Sequence, residues 1–460
     1  MGAGMFFETA GSDRRERPWW RSLSRYQWLV FAIASLGWLF DCMDQQIFNL
    51  ARAPALKELL ASPQGTLGND TSVVKYGGYA TSLFLIGWAI GGVIFGILGD
   101  RLGRSKTMVL TILIYSLFRG CSAFSIGVLD FAAWRFLTGL GGGGQFAVGV
   151  ALVAEVMPDR ARPHALAWLQ TLGLVGNMLA AGIDIGLGQL KTACLIGSTW
   201  RPMFFIGVLP ALVALLVVRR LQESERWSAA VAESGREKLG SLNELFGDPR
   251  WRRHTLVGMC MAFAGVVGLW AIGFFSFDLI HSIFGKTFAR QGLPEEVVEG
   301  KVGLWMGIAS LLINLGGSFG CYAFSRVTQH IGRRPAFALA FTAALLSTVF
   351  TFWFLQTPGD VLWMIPLMGS CQLALFGGYT IYFPELFPTR LRSTGTSFCY
   401  NVGRLAAAIG PVCLSLLTSR VFVHYTEPLR YAGVAMCAVF LIGLLALPFA
   451  PETKGLPLPE

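Results

Sequence analysis

Charge is scarce in this sequence. Only 14% of its 460 residues are Asp, Glu, Lys or Arg while 54% are hydrophobic, more apolar surface than one water-soluble core would bury. Paired cysteines are also missing. Nine cysteines lie almost entirely inside apolar stretches, singly and without a C-x-x-C spacing, so neither a disulfide framework nor a zinc site is expected, and no metal or cofactor is implied. There are only five histidines, and H-E-x-x-H, G-x-S-x-G and a cysteine–histidine arrangement are all lacking. The sequence therefore does not read as an enzyme. The segment before Tyr26 is polar and Arg-rich, with no apolar run ending in a small-residue cleavage site. No removable signal peptide is expected, and the first apolar span serves as the anchor.

Long apolar runs fill the remainder. Crossing a bilayer takes about 20 mainly apolar residues, and twelve such stretches are predicted at 27–50, 76–98, 107–128, 131–153, 164–187, 200–218, 255–280, 302–324, 336–356, 360–383, 394–418 and 430–449. The fold class is all-α membrane protein. Its expected parts are a tail (1–26), a six-helix half (27–218), a charged and flexible central loop (219–254), a second six-helix half (255–450) and a short tail (451–460). The net charge of +10 does not indicate nucleic acid, because most of the 37 lysines and arginines fall in the tails, the central loop and alternate connections. That bias predicts both termini in the cytoplasm and the chain in a cell (inner or plasma) membrane.

Two echoes betray an internal duplication. GILGDRLGRSK, Gly96 to Lys106, is answered by GCYAFSRVTQHIGRR, Gly320 to Arg334, and EVMPDRAR, Glu155 to Arg162, by ELFPTRLR, Glu385 to Arg392. The offsets, Gly103 to Gly332 and Glu155 to Glu385, agree within one residue.

At these motifs the chain resembles the major facilitator superfamily. Gly96, Asp100, Arg101, Gly103, Arg104 and Lys106 fit that family's G-x-x-x-D-R-x-G-R-x-K pattern, RFLTGLGGGG from Arg135 resembles the fourth helix of sugar and organic-acid porters, and PELFPTRLRSTG their loop between spans 10 and 11. The likeness is greatest to proton-coupled symporters of aromatic acids, sialic acid and sugars. It implies two six-helix halves around a central cavity. Physically, Asp100 can cap a helix or pair with arginine, and the glycines permit a tight reversal. Asp100, Arg101, Gly103, Arg104, Glu155, Arg160, Arg333, Glu385 and Arg390 are read as a cytoplasmic latch; a plain positive-inside loop is the alternative. Gly141 to Gly144 have no G-K-[ST] after them and are read as a close helix contact rather than a phosphate loop.

Ionisable groups inside spans cost roughly 2.5 to 3.5 kcal/mol on insertion scales and seldom persist without a partner or a use. Asp41 and Asp44 lie on one face of span 1, followed by Gln45, Gln46 and Asn49. Arg135 in span 4 is their expected partner. The resemblance implies that Asp44, paired with Arg135 and sharing the duty with Asp41, couples transport to protons; a static ion pair is the other reading. Arg119 in span 3 is read as structural. Arg404 in span 11 follows Tyr400 and Asn401, with Gly410-Pro411 as a bend beyond it, and arginine suits two-point binding of a carboxylate. Gln45, Gln145, Gln170, Asn177, Asn314, Gln372 and Tyr379 complete the candidate substrate contacts. Asn69-Asp70-Thr71 matches a glycosylation acceptor.

The leading expectation is proton-coupled symport of a small organic anion, with lipid, solute and protons as partners and a monomer as the simplest state. A sugar or polyol porter is the alternative. A transport-dead sensor, the reading from another class, is disfavoured by the shortness of both tails.

Overall fold

The computed structural model describes residues 18–61, 70–192, 195–211, 220–235, 238–273, 275–292, 294–407 and 410–459. The expectations for Asn69, for the tail before residue 18, for the end of the sixth span and for the approach to the Gly410-Pro411 bend lie outside the described residues. Among those described, the chain is helical throughout, with no strand.

The first half comprises α1 (Arg25–Leu59), α2 (Asp70–Leu102), α3 (Arg104–Ser122), α4 (Val128–Val156), α5 (Arg162–Thr192) and α6 (Trp200–Ile206). Two short helices follow, α7 (Glu225–Ser234) and α8 (Leu242–Gly247). The second half holds α9 (Pro249–Val267), α10 (Phe275–Ala289), α11 (Glu295–Ile331), α12 (Arg333–Phe354), α13 (Pro358–Leu386), α14 (Arg392–Ala407), α15 (Gly410–Leu416), α16 (Pro428–Met436) and α17 (Val439–Ala446). Local chemistry sets the starts. Ser24 and Gln27 close a capping box on α1, and Thr357 and Asp360 do so on α13.

Nine helical segments among the described residues are long and apolar enough to cross a membrane. The other expected spans fall on α3, α6 and α14. The first and last of these carry arginines and polar residues along their length, and α6 runs toward residues outside the description.

Packing repeats between the halves. The pair α2 and α4 is matched by α11 and α13. At the first crossing a Cβ on Gly91 would overlap the Leu140 carbonyl, and one on Gly143 the Trp88 carbonyl. The glycine-rich run of α4 is thus a close helix contact. The halves meet along α2 against α14 and α5 against α11.

The central segment, expected as a flexible loop, instead carries two helices with serine caps, Ser224 and Ser241. The indole of Trp227 donates to the Asp100 carbonyl at 2.6 Å, and Arg390 pairs with Glu244 at 2.8 Å. These contacts tie the segment to the face of the bundle that carries both described chain ends.

Candidate functional site

That face is closed by buried charge. The turn joining α2 to α3 runs through Gly103 at φ +110°, a conformation that disfavours a side chain. The turn brings Arg104 back onto Glu155, with Nη2 to Oε1 at 2.9 Å, and onto Asp100 at 3.0 Å. Glu155 also takes Arg392 of the second half at 3.0 Å, and Ser224 donates to its other oxygen. Asp100 caps α14 across the same boundary. It accepts from the Ser393 and Thr394 amides at 3.1 and 2.9 Å and from the Thr394 hydroxyl at 2.6 Å.

The second half rebuilds much of this. Gly332 turns at φ +98°, Arg333 grips Glu385 with two bonds of 3.0 and 2.8 Å, and Thr453 donates to Glu385 at 2.5 Å. Glu452 accepts from the amides of Arg333 and Arg334 at the start of α12, as Glu223 accepts from Ser105 and Lys106 at the start of α3. One member differs. Where the first half has Asp100, the second has Gln329, whose amide lies 2.9 Å from His164 Nε2 on α5. Arg101 donates to the Leu239 carbonyl, and Arg160 is exposed in the turn after α4.

Inside the bundle, Asp44 is buried with two arginines. Arg119 Nε lies 2.8 Å from Asp44 Oδ1 and Arg135 Nη1 lies 3.6 Å from it. Arg119, read from the sequence as structural, is the nearer partner. Arg135 spends its donors on Ser122 and Thr138, at 2.6 and 3.0 Å, and stacks 4.6 Å above the Phe204 ring. Asp41 is buried with no ion pair, and its Oδ2 has no hydrogen-bond partner among the described residues. Its charged neighbours are Asp44, Arg404 and Arg119.

A cavity of about 700 Å³ lies between the halves, lined by Gln46, Asn49, Arg52, Asp184, Trp270 and Arg404 among others. A chamber of about 70 Å³ adjoins it, lined by Gln45, Gln170, Asn177, Asn314, Tyr400 and Arg404. The cavity lining comes from the end of α1, the start of α2 and the end of α5, so the opening points away from the closed face. Arg404 lines both spaces. Its Nη2 donates to the Tyr400 hydroxyl at 3.0 Å, its guanidinium lies 4.3 Å from the Trp88 ring centre, and it has no carboxylate partner within salt-bridge distance among the described residues.

Four candidate contacts point elsewhere. Asn401 bonds within α14 and reaches the α4 backbone, Gln145 accepts from Thr111 at 2.9 Å, Gln372 donates to Thr348 at 2.8 Å and Tyr379 donates to the Met261 carbonyl at 2.6 Å. Each uses its polar group to join helices, because a buried polar atom facing a neighbouring backbone finds its partner there. Sequence reasoning passed over Arg52, Arg392, Glu223 and Glu452. The last two had a signal: Gln222-Glu223-Ser224 and Pro451-Glu452-Thr453 are separated by the same interval as Gly103 and Gly332.

Comparison with known proteins agrees with this fold. Residues 34–411 match the family model described as Major Facilitator Superfamily. A metabolite transport protein of Haemophilus influenzae is 28% identical over 94% of this chain and 98% of its own. The cis,cis-muconate transport protein of Acinetobacter baylyi is 26% identical over 85% of this chain and 87% of its own. Among solved structures, the proton:xylose symporter XylE bound to 6-bromo-6-deoxy-D-glucose superposes with a TM-score of 0.73 at 17% identity, covering 94% of this chain and 98% of that one.

Proposed function

The chain belongs to the Major Facilitator Superfamily, an integral membrane transporter and not an enzyme, and we propose that it carries a small carboxylate together with a proton by alternating access. The observation that carries this reading is Arg404. It is a buried guanidinium on the cavity wall that forms no salt bridge among the described residues, and a buried charge without a bonded counter-ion is costly until an anion arrives. The name of the muconate relative, itself an organic acid carrier, supports the same class.

The proton sites proposed are Asp41 and Asp44. Asp44 is held by Arg119 and Arg135, whereas Asp41 has no such pair and has Arg404 among its charged neighbours. An anion placed on Arg404 adds negative charge beside Asp41 and favours proton uptake there, so solute and proton load together. On this proposal the closed face is cytoplasmic and the cavity opens outward. Releasing the latch around Glu155 would let the halves rock the other way.

One observation favours a sugar or polyol instead: the inner chamber is ringed by the amides of Gln45, Gln170, Asn177 and Asn314. Proteoliposomes carrying a trapped pH dye separate the two readings. Organic acids should drive internal acidification in the wild type, Asp44→Asn should lose it, and Arg404→Ala should lose acid binding. Acidification driven by sugars alone would establish the porter reading, and solute flux that moves no proton and survives Asp44→Asn would leave a uniporter.

A further inference from the structure

We propose that the cavity holds a second anion station at Arg52, and that the solute is a dicarboxylate whose two ends meet Arg404 and Arg52. The inference rests on the carboxylate reading and narrows it. Gln45, Asn49 and Arg52 follow one another at helical spacing along α1, so they form one stripe of that helix. The stripe runs along the whole solute space: Gln45 lines the inner chamber, Asn49 lines both spaces, and Arg52 lines the wider cavity.

Among the described residues Arg52 has no ion pair that accounts for its charge. Its Nη1 donates to the Thr81 hydroxyl at 2.5 Å, and no carboxylate among the described residues pairs with it. The hydroxyl holds the side chain in place without neutralising it. Among the described residues Asp184 is the one carboxylate in the same lining, and it forms no ion pair with either arginine. A single cavity of about 700 Å³ therefore presents two guanidiniums that form no salt bridge among the described residues, one deep and one toward the opening.

The length of α1 sets the scale of the solute. Helix rise puts Arg52 roughly 10 Å beyond Gln45, which shares the inner chamber with Arg404, so the diacid proposed is a linear one of about six to eight carbons. Polar amides at Asn49 and Gln46 lie between the stations. A monocarboxylate fills the deeper station at Arg404, which lines both spaces, and leaves Arg52 exposed to the cavity.

Binding of adipate and suberate, and of hexanoate and octanoate as their one-ended counterparts, is measured on the full-length protein in nanodiscs by isothermal titration. In the wild type the better diacid should bind about tenfold tighter than its counterpart or more, a difference of about 1.4 kcal/mol. Arg52→Gln should bring the diacid to the level of the monoacid and leave the monoacid unchanged, with Arg52→Lys retaining part of the preference. Equal wild-type affinities would overturn the second station without any variant, as would an Arg52→Gln protein that folds and weakens both series alike. The carboxylate reading fails separately: it falls, and this inference with it, if Arg404→Gln leaves hexanoate and octanoate binding intact.

Discussion

Glu223 and Glu452 hold the same post in the two halves, each closing the first turn of the helix that follows a left-handed glycine. The residue after each, Ser224 or Thr453, donates to the buried glutamate of its own half, Glu155 or Glu385. The duplication thus extends to a four-part unit of glycine turn, arginine, buried glutamate and capping glutamate. The unit is used differently in each half. Only Glu155 also binds an arginine of the other half among the described residues, Arg392, so the first-half copy is the clamp and the second-half copy is internal bracing.

From that asymmetry, Glu155→Gln should loosen the closed face more than Glu385→Gln does. Removing one member of a buried ion cluster leaves uncompensated charge and costs about 3–5 kcal/mol. In the Glu155 variant two guanidiniums, on either side of the boundary between halves, lose their shared carboxylate. Hydrogen–deuterium exchange of α14 should rise in Glu155→Gln and stay near wild type in Glu385→Gln.

The cap on α12 should be sensitive to acid. Burial pushes the Glu452 carboxyl up, but the backbone amides of Arg333, Arg334 and Lys454 outweigh this and hold it below its ordinary value of 4.5. A carboxylate with a lowered folded-state pKa stabilises fully above the unfolded value, and that contribution is lost as pH falls through the folded one. Protection of the Arg333 and Arg334 amides should therefore be flat from neutral pH down to about 4.5 and decline below it. Glu452→Gln should abolish the step, leaving low protection at every pH.

Much of this architecture was legible because lipid imposes simple rules. Apolar run length marks Arg333–Phe354 and Pro358–Leu386 as spans, and two motifs at one spacing reveal the halves. The charge cluster of the closed face was legible for a similar reason, since Asp100, Arg104 and Glu155 are charges at the ends of apolar runs. What stayed hidden depends on helix rotation. Gln145, Gln372 and Tyr379 are as polar as Gln45 and Gln170, but only the packing decides which turn toward the cavity. Likewise Arg119 reaches Asp44 through a neighbour relation between α1 and α3 that one sequence does not print.

The close crossing of α2 and α4 gives a prediction free of charge effects. Gly143→Ala puts a methyl group against the Trp88 carbonyl, where backbone must move, while a Cβ at Gly182 in α5 meets nothing within 4 Å. Overpacking of this kind costs about 1–3 kcal/mol. The thermal unfolding midpoint in detergent should drop in Gly143→Ala and remain unchanged in Gly182→Ala. Equal midpoints would show that the helices separate without penalty.

On the proposed proton coupling at Asp44, loss of Arg119 and loss of Arg135 should differ in effect. Arg119 Nε is 2.8 Å from Asp44 Oδ1, whereas Arg135 stands 3.6 Å away and is anchored on Ser122 and Thr138. Attraction in a buried site falls with distance and with every competing bond, so Arg119 is the stronger partner of Asp44 in this state. Arg119→Gln should therefore lower the rate of solute-driven proton uptake strongly, because it removes the nearer partner of the proposed proton site. Arg135→Gln should lower it too, but by less. Initial rates in proteoliposomes at one fixed pH decide the order; a larger loss in Arg135→Gln would return the principal role to the residue in α4.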